Sequence, residues 1–268
     1  MIHVLRFFPM AFVALSAIVL TLPLHAPASA SEVGVVVMHG KGGQPGKYVD
    51  QLASAFERAG FQVANLEMPW SGRRQYDVSM SGGVDEITQA LDAMRAKGAR
   101  KVFVAGHSQG GLFALHYAGL HRVDGVLPIA PGGQVDVPSF VDKLSSHVEK
   151  ARQMVDEGRG GEKAAFADFE GSRGTNVITT TAAIYLDWFD PKGAHTTVAY
   201  KRVKEGTPVL YVAPVRDYPG LIKSKHQNFG GLPPHPKTRM YEPDSEHLNA
   251  PAAAAEEAIM WIRQISGQ

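Results

Sequence analysis

Short apolar runs that alternate with amphipathic stretches restrict this chain to one kind of architecture. Val33-Gly34-Val35-Val36-Val37-Met38 is apolar at every position, so a strand built from it must be covered on both faces. A glycine-rich loop from His39 to Gly46 follows, and then Tyr48, Val49, Leu52, Ala53 and Phe56 recur at helical spacing until Gly60. The order repeats. Phe61 to Leu66 predicts a strand, and Val84, Ile87, Leu91 and Met94 mark one face of a helix ending before Gly98. Lys101 to Ala105 predicts a strand, Gly110 to His121 a helix, and Val126 to Ile129 a strand. This rhythm is that of a mostly parallel sheet flanked by helices on both faces. Pro208 to Val212 and Thr238 to Tyr241 predict the remaining strands. A closing helix is expected from about Ala252 to Ile265, with Asn249 placed to cap it and Pro251 in its first turn.

Two segments stand outside the rhythm. Residues 1–30 carry Arg6, then an apolar run interrupted by Pro9 and Pro23, then Ala28-Ser29-Ala30. A charged start, a short apolar core and a small-x-small end predict a signal peptide, and the proline-free stretch is too short for a bilayer span. The expectation is an exported protein, periplasmic or secreted, with no stable membrane anchor once the leader is removed and a single domain over residues 31–268. Between about 135 and 205 the β-α order lapses. Phe140 to Asp156 and roughly Thr181 to Phe189 predict helices, with glycine-rich stretches and no strand between them. This reads as a helical cap inserted after a strand end, where chain lies over the ligand crevice of an open sheet. The glycines at 158, 160, 161, 171 and 174 would let part of it move.

Composition removes several classes. The chain has no cysteine, which excludes disulfides, thiolate metal sites and a cysteine nucleophile. Its 27 basic and 26 acidic residues leave no basic excess for a phosphate backbone, so nucleic acid is not an expected partner. No metal or organic cofactor is called for by any motif. His39-Gly40-Lys41-Gly42-Gly43 does not continue into a phosphate loop, because Gly46-Lys47 is followed by Tyr48 rather than Ser or Thr.

The chemistry centres on Gly106-His107-Ser108-Gln109-Gly110, a G-x-S-x-G sequence between a predicted strand and a predicted helix. A turn this tight raises Ser108 above the sheet edge and leaves the Gln109 N–H at a helix start, where it can meet an oxyanion. A serine nucleophile needs a base, and the base an orienting acid. Among the nine histidines beyond residue 30, His247 alone follows the last predicted strand in a loop before the final helix. Asp217, in the loop after Val209 to Val212, is the candidate acid, with Asp136 and Asp244 as alternatives. The Lys41 N–H, at the end of the first strand, is the candidate second oxyanion donor. Trp70, Tyr185, Trp188 and Phe189 are candidates to line the substrate entrance.

With the His39-Gly40 loop, the Ser108 turn, Asp217 and His247 in that order, residues 33 to 265 resemble the α/β-hydrolase superfamily. The likeness is to an exported serine esterase of the dienelactone-hydrolase-like branch. The chain departs from dienelactone hydrolases in having serine as nucleophile, and from hormone-sensitive lipases in lacking a full His-Gly-Gly-Gly loop. The resemblance implies an α/β-hydrolase fold and hydrolysis of a small carboxylic ester through an acyl-enzyme on Ser108, without cofactor. The same triad would serve a thioesterase, or an acyltransferase in which an added acceptor competes with water. A non-catalytic binding protein on this fold would instead fail to react with a fluorophosphonate probe.

Overall fold

The computed structural model describes Met1, Ile2 and residues 31–171 and 173–268. The expected signal peptide, apart from its first two residues, lies outside the described residues. In chain order the first elements are β1 (Val33–Met38), α1 (Asp50–Arg58), β2 (Gln62–Leu66), α2 (Met80–Ala96), β3 (Lys101–His107), α3 (Gln109–Leu120) and β4 (Gly125–Ile129). The insertion supplies α4 (Pro138–Asp156), β5 (Lys163–Glu170), β6 (Gly174–Thr181), α5 (Ala182–Phe189) and α6 (Ala199–Arg202). The chain then returns to the sheet with β7 (Leu210–Val212), α7 (Pro219–Gly230) and β8 (Arg239–Tyr241), and closes with α8 (Ala250–Ala253) and α9 (Ala255–Ser266).

Six strands form one parallel sheet in the order β2-β1-β3-β4-β7-β8. Alternate side chains of each central strand enter opposite cores. Val36 and Met38 of β1, with Val102 and Val104 of β3, pack toward α2, α3 and the insertion. Val33, Val35, Val37, Phe103 and Ala105 pack toward α1 and α9. Both faces are therefore dry, which is why these strands read as unbroken apolar runs. Helix α3 has buried residues on all sides, among them Leu112, Phe113, Leu115 and Tyr117, and runs through the middle of the larger core.

The register places the strand ends level with one another. Met38 pairs with Gly106, His107 with Ile129, Ile129 with Val212, and Val212 with Tyr241. Everything that follows these residues emerges on one edge of the sheet. Since β1 lies between β2 and β3, the chain reverses its direction of travel across the sheet at the β1/β3 boundary, where a crevice opens outside the carboxyl ends.

The insertion differs from the sequence expectation of a helical cap. It contains an antiparallel hairpin, β5 with β6, registered from Lys163 opposite Thr181 to Glu170 opposite Gly174. Its outer residues Thr175, Asn176 and Val177 are exposed, so the run lacks the apolar alternation that marks a half-buried strand. Gly171 and Gly174 belong to the hairpin turn, with Gly174 at φ 80°, and Gly158 at φ 78° closes α4. These glycines make turns. A second difference is α7, which the prolines and glycines at 219, 220, 230, 231, 233 and 234 disguise. Pro219 occupies its first turn, where the missing N–H costs nothing.

The expectation that Trp70, Tyr185 and Trp188 line an entrance is also corrected. They are 1%, 0% and 1% exposed, and they form a continuous aromatic stack joining the insertion to the sheet domain. Trp70 meets Trp188 edge-on at 5.7 Å between ring centroids, Tyr76 meets Phe189 at 5.0 Å, and Tyr185 stacks on Phe166 at 4.3 Å. The polar ends are satisfied by backbone: Trp188 Nε1 donates to the Val78 carbonyl and Tyr185 Oη to that of Ala167, each at 2.8 Å. Trp188→Ala should therefore destabilise the fold by about 3–5 kcal/mol. Urea denaturation of the variant would measure this loss, and any activity should fall uniformly across acyl chain lengths rather than change its preference among them.

Candidate active site

Ser108 sits between the last residue of β3 and the first of α3 at φ 55° and ψ −118°. Such a conformation costs a non-glycine residue on the order of 1–3 kcal/mol and persists only when its surroundings impose it. Here they do. The Ser108 N–H donates to the Ile129 carbonyl at 2.9 Å, and its own carbonyl accepts from Leu112 and Gly132 at 3.1 and 3.2 Å. The flanking glycines are obligatory. A Cβ on Gly106 would lie 2.2 Å from the Gly110 carbonyl oxygen, and one on Gly110 would lie 2.6 Å from that of His39. The turn thus presses β3, α3 and the end of β1 together and leaves the serine half-buried at the crevice. Its hydroxyl makes no hydrogen bond to a described residue and is free to meet a ligand.

His247 and Asp217 come together by continuation of the sheet. Past the ends of β7 and β8 the two chains still pair, through the Ala213 N–H to Tyr241, Val215 to Pro243 and Arg216 to Ser245. An isolated parallel bridge joins Arg216 to Glu246, so the next residues, Asp217 and His247, stand side by side. Their side chains are 4% and 7% exposed, and His247 Nδ1 is 2.7 Å from Asp217 Oδ1. A carboxylate only accepts, so Nδ1 carries the proton and Nε2 keeps its lone pair. The Tyr218 N–H also donates to Asp217, at 2.6 Å, and the Tyr218 ring lies over the imidazole at 4.4 Å.

The two alternative acids are engaged elsewhere. Asp136 accepts from the hydroxyl and N–H of Thr197, and Asp244 pairs with Arg216 on the surface.

Two further histidines, His107 and His39, brace the site, and neither is marked by its place in the sequence. The His107 ring lies 4.7 Å from that of His247, and its Nε2 donates to the His247 carbonyl at 2.9 Å. Its burial, and then the neighbouring His247, push its pKa down to about 3, so it works as a neutral donor. His39 accepts at Nε2 from the Met68 N–H at 3.0 Å, which leaves the proton on Nδ1 to bond the Gly40 carbonyl at 2.8 Å. The Gly43 N–H holds the same carbonyl at 3.0 Å.

In a trans peptide the C=O and the following N–H point opposite ways. Anchoring the Gly40 carbonyl toward His39 therefore turns the Lys41 N–H away from it. Gly40 itself is packed on the serine, since a Cβ there would stand 3.2 Å from Ser108 Cβ. Neither the Lys41 N–H nor the Gln109 N–H has a backbone or side-chain acceptor among the described residues. One ends the loop after β1 and the other opens α3, so both are available to an anion at the crevice.

A cleft of about 460 Å³ opens beside the insertion, lined by Val135, Phe140, Leu144, Val148, Phe189 and Arg152 among others. Of the four entrance candidates, only Phe189 reaches it. Phe140 and Phe189 also flank the Lys41 ammonium, at 5.2 and 5.4 Å, so the cleft shares these two rings with the Lys41 side chain, while Ser108, Asp217 and His247 do not line it.

Comparison with known proteins bears on the fold. Residues 30–159 match the family described as serine aminopeptidase, S33, just under half of the chain and including His39, Lys41, Ser108 and Gln109. No curated protein matches the sequence. Among solved structures, the α/β hydrolase GrgF from Penicillium sp. is 13% identical with a TM-score of 0.68, covering 90% of this chain and 93% of that one. Est1E from Butyrivibrio proteoclasticus, with ferulic acid bound, is 14% identical with a TM-score of 0.60 over 88% and 90% of the two chains. A monoacylglycerol lipase of Paleococcus ferrophilus is 20% identical with a TM-score of 0.56, covering 88% and 95%. These likenesses show that the chain has the α/β-hydrolase fold.

The buried histidines set an acid limit on stability. Burial lowers His39, His107, His116 and His195 below the ordinary value of 6.5. The unfolded chain therefore binds these protons more readily than the folded one, and stability falls as pH drops below about 6.5. For His107 the fall continues to about pH 3. His107→Gln keeps an N–H for the His247 carbonyl and removes one titration. Urea denaturation at pH 7 and pH 5 should show wild type losing about 2 kcal/mol more than the variant. Equal losses would assign the acid sensitivity to other groups.

Proposed function

We propose that the protein is a serine hydrolase that cleaves a carboxylic ester through an acyl-enzyme on Ser108. The observation that carries this reading is the Asp217–His247 pair, held by paired chain on the edge where the strained Ser108 emerges. In the proposed reaction Ser108 Oγ attacks the acyl carbon while His247 Nε2 takes its proton. Asp217 keeps the imidazole in the required tautomer and stabilises the imidazolium. The N–H groups of Lys41 and Gln109 hold the tetrahedral oxyanion. His247 then returns the proton to the departing alkoxide, which leaves as the alcohol. Water repeats the attack on the acyl-enzyme, releasing the acid and restoring Ser108. The cleft bounded by Phe140, Leu144 and Phe189 receives the apolar part of the ester.

The match to the S33 family favours a second reading, an aminopeptidase. That activity needs an unpaired carboxylate for the substrate's ammonium, but Asp168, which Tyr76 links to Gln109, is paired with Lys41 at 2.5 Å. The lipolytic and monoacylglycerol-lipase neighbours lend support to esters instead. Parallel assays with p-nitrophenyl esters of graded chain length and with alanyl p-nitroanilide separate the two. We further propose that residues 1–30 direct export and are removed, for which a mature N-terminus at Ser31 by mass spectrometry is the test.

Ser108→Ala should lower ester turnover by a factor on the order of 10⁶ and abolish fluorophosphonate labelling while the protein remains folded. Asp217→Asn should lower turnover by roughly 10⁴. Asp136→Asn and Asp244→Asn should stay near wild type. A Ser108→Ala protein retaining a tenth of the activity would sink the assignment.

A further inference from the structure

Both backbone donors proposed for the oxyanion belong to residues whose side chains converge on one carboxylate of the insertion. Lys41 Nζ donates to Asp168 Oδ1 at 2.5 Å and to the Phe169 carbonyl at 3.2 Å. Tyr76 Oη lies 3.2 Å from Asp168 Oδ2 and 3.4 Å from the side-chain amide of Gln109. The phenol has one proton, which goes to the nearer, charged Asp168. Gln109 Oε1, at 3.4 Å, is the second and weaker acceptor of that hydroxyl.

All four residues are enclosed. The Lys41 and Asp168 side chains are each 9% exposed, and Tyr76 and Gln109 are each 2% exposed. Asp168 lies on β5, Tyr76 in the loop between β2 and α2, Lys41 in the loop after β1 and Gln109 at the start of α3, so four separate segments meet here. The phenol stays protonated, because burial and Asp168 both raise its pKa well above 10.

We propose that Asp168 is a positioning residue for the oxyanion hole, clamping from the hairpin the side chains behind both N–H donors, so that the hole is complete only with the insertion docked. This rests on the assignment of Lys41 and Gln109 in the preceding section. A donor displaced by about 1 Å from a developing oxyanion loses much of its effect, and such displacements cost up to about a hundredfold in rate. The clamp acts on the transition state. Ground-state binding of the ester depends on the cleft and should be spared.

The test uses Asp168→Asn and the double variant Lys41→Met/Asp168→Leu. Removing one partner of a buried pair leaves an unpaired charge, whereas an apolar replacement of both is often neutral for stability. The double variant therefore keeps the question answerable if the single one fails to fold. On p-nitrophenyl acetate, kcat should fall about tenfold to a hundredfold in either folded variant with KM within about twofold. The affinity of a phenylboronic acid, whose tetrahedral adduct places a hydroxyl in the hole, should fall in parallel. Unchanged kcat and boronate affinity in a folded variant would overturn the proposal. So would a rise in KM alone, which would make Asp168 part of substrate binding. A wild-type protein that fluorophosphonate leaves unlabelled and that hydrolyses no ester would instead overturn the hydrolase reading itself.

Discussion

The structure depends on a single backbone turn that is unfavourable in isolation. Ser108 occupies a left-handed φ that an L-residue avoids, and the energy to keep it there comes from three directions. On one side β4 accepts its N–H, on another α3 and Gly132 donate to its carbonyl, and beneath it Gly106 and Gly110 touch backbone to backbone. The bonds of Ser108 to Ile129 and Gly132 are lost if β3 shifts against β4 by one residue. The parallel register is thus a requirement of the site as well as of the core, and the long apolar strands that fix the register serve both.

Around this turn, burial divides three histidines into different tasks. His107 and His39 are sealed in apolar surroundings that disfavour their charged forms, so each is a fixed neutral pair of one donor and one acceptor position. His107 uses its donor to hold the chain of His247, and His39 uses its donor to aim a peptide plane. His247 is equally buried but faces a carboxylate. In the proposed reaction that difference gives His247 the part of base, while His107 and His39 hold the chain around it.

The sheet and the two ends of the site were legible because their signals are local. Continuous apolar runs report strands covered on both faces, and the positions after the strand ends fix where Ser108, Asp217 and His247 must lie. Legibility failed where the determinant was a partner distant in sequence. The β5–β6 hairpin has exposed threonines on its outer side and few large apolar side chains on its inner one, chiefly Phe166 and Ile178, so its period is hidden. Asp168 and Lys41 are 127 residues apart, and nothing near either one announces the other. The aromatic residues at 70, 185 and 188 were legible as apolar but not as packing, because a sequence does not say which apolar face finds a neighbour.

The packing of the insertion bears on how a substrate arrives. Swinging it away from the sheet domain would part Trp188 and Phe189, 1% and 2% exposed when docked, from Trp70, Tyr76 and Phe113. Buried aromatic side chains hide 150–250 Å² each, and at ~25 cal/mol per Å² the two together account for on the order of 10 kcal/mol. That rivals the whole stability of a typical domain. It would also break the Trp188–Val78 and Met80–Asp187 hydrogen bonds and leave Lys41 and Asp168 without each other. The insertion is therefore a fixed wall, and the glycines that suggested a hinge serve its turns. On the other side of the site the exposed Tyr218 lies over His247. A fixed wall also explains why a carboxylate in the inserted hairpin can take part in shaping a site on the sheet: the two never separate while the protein is folded.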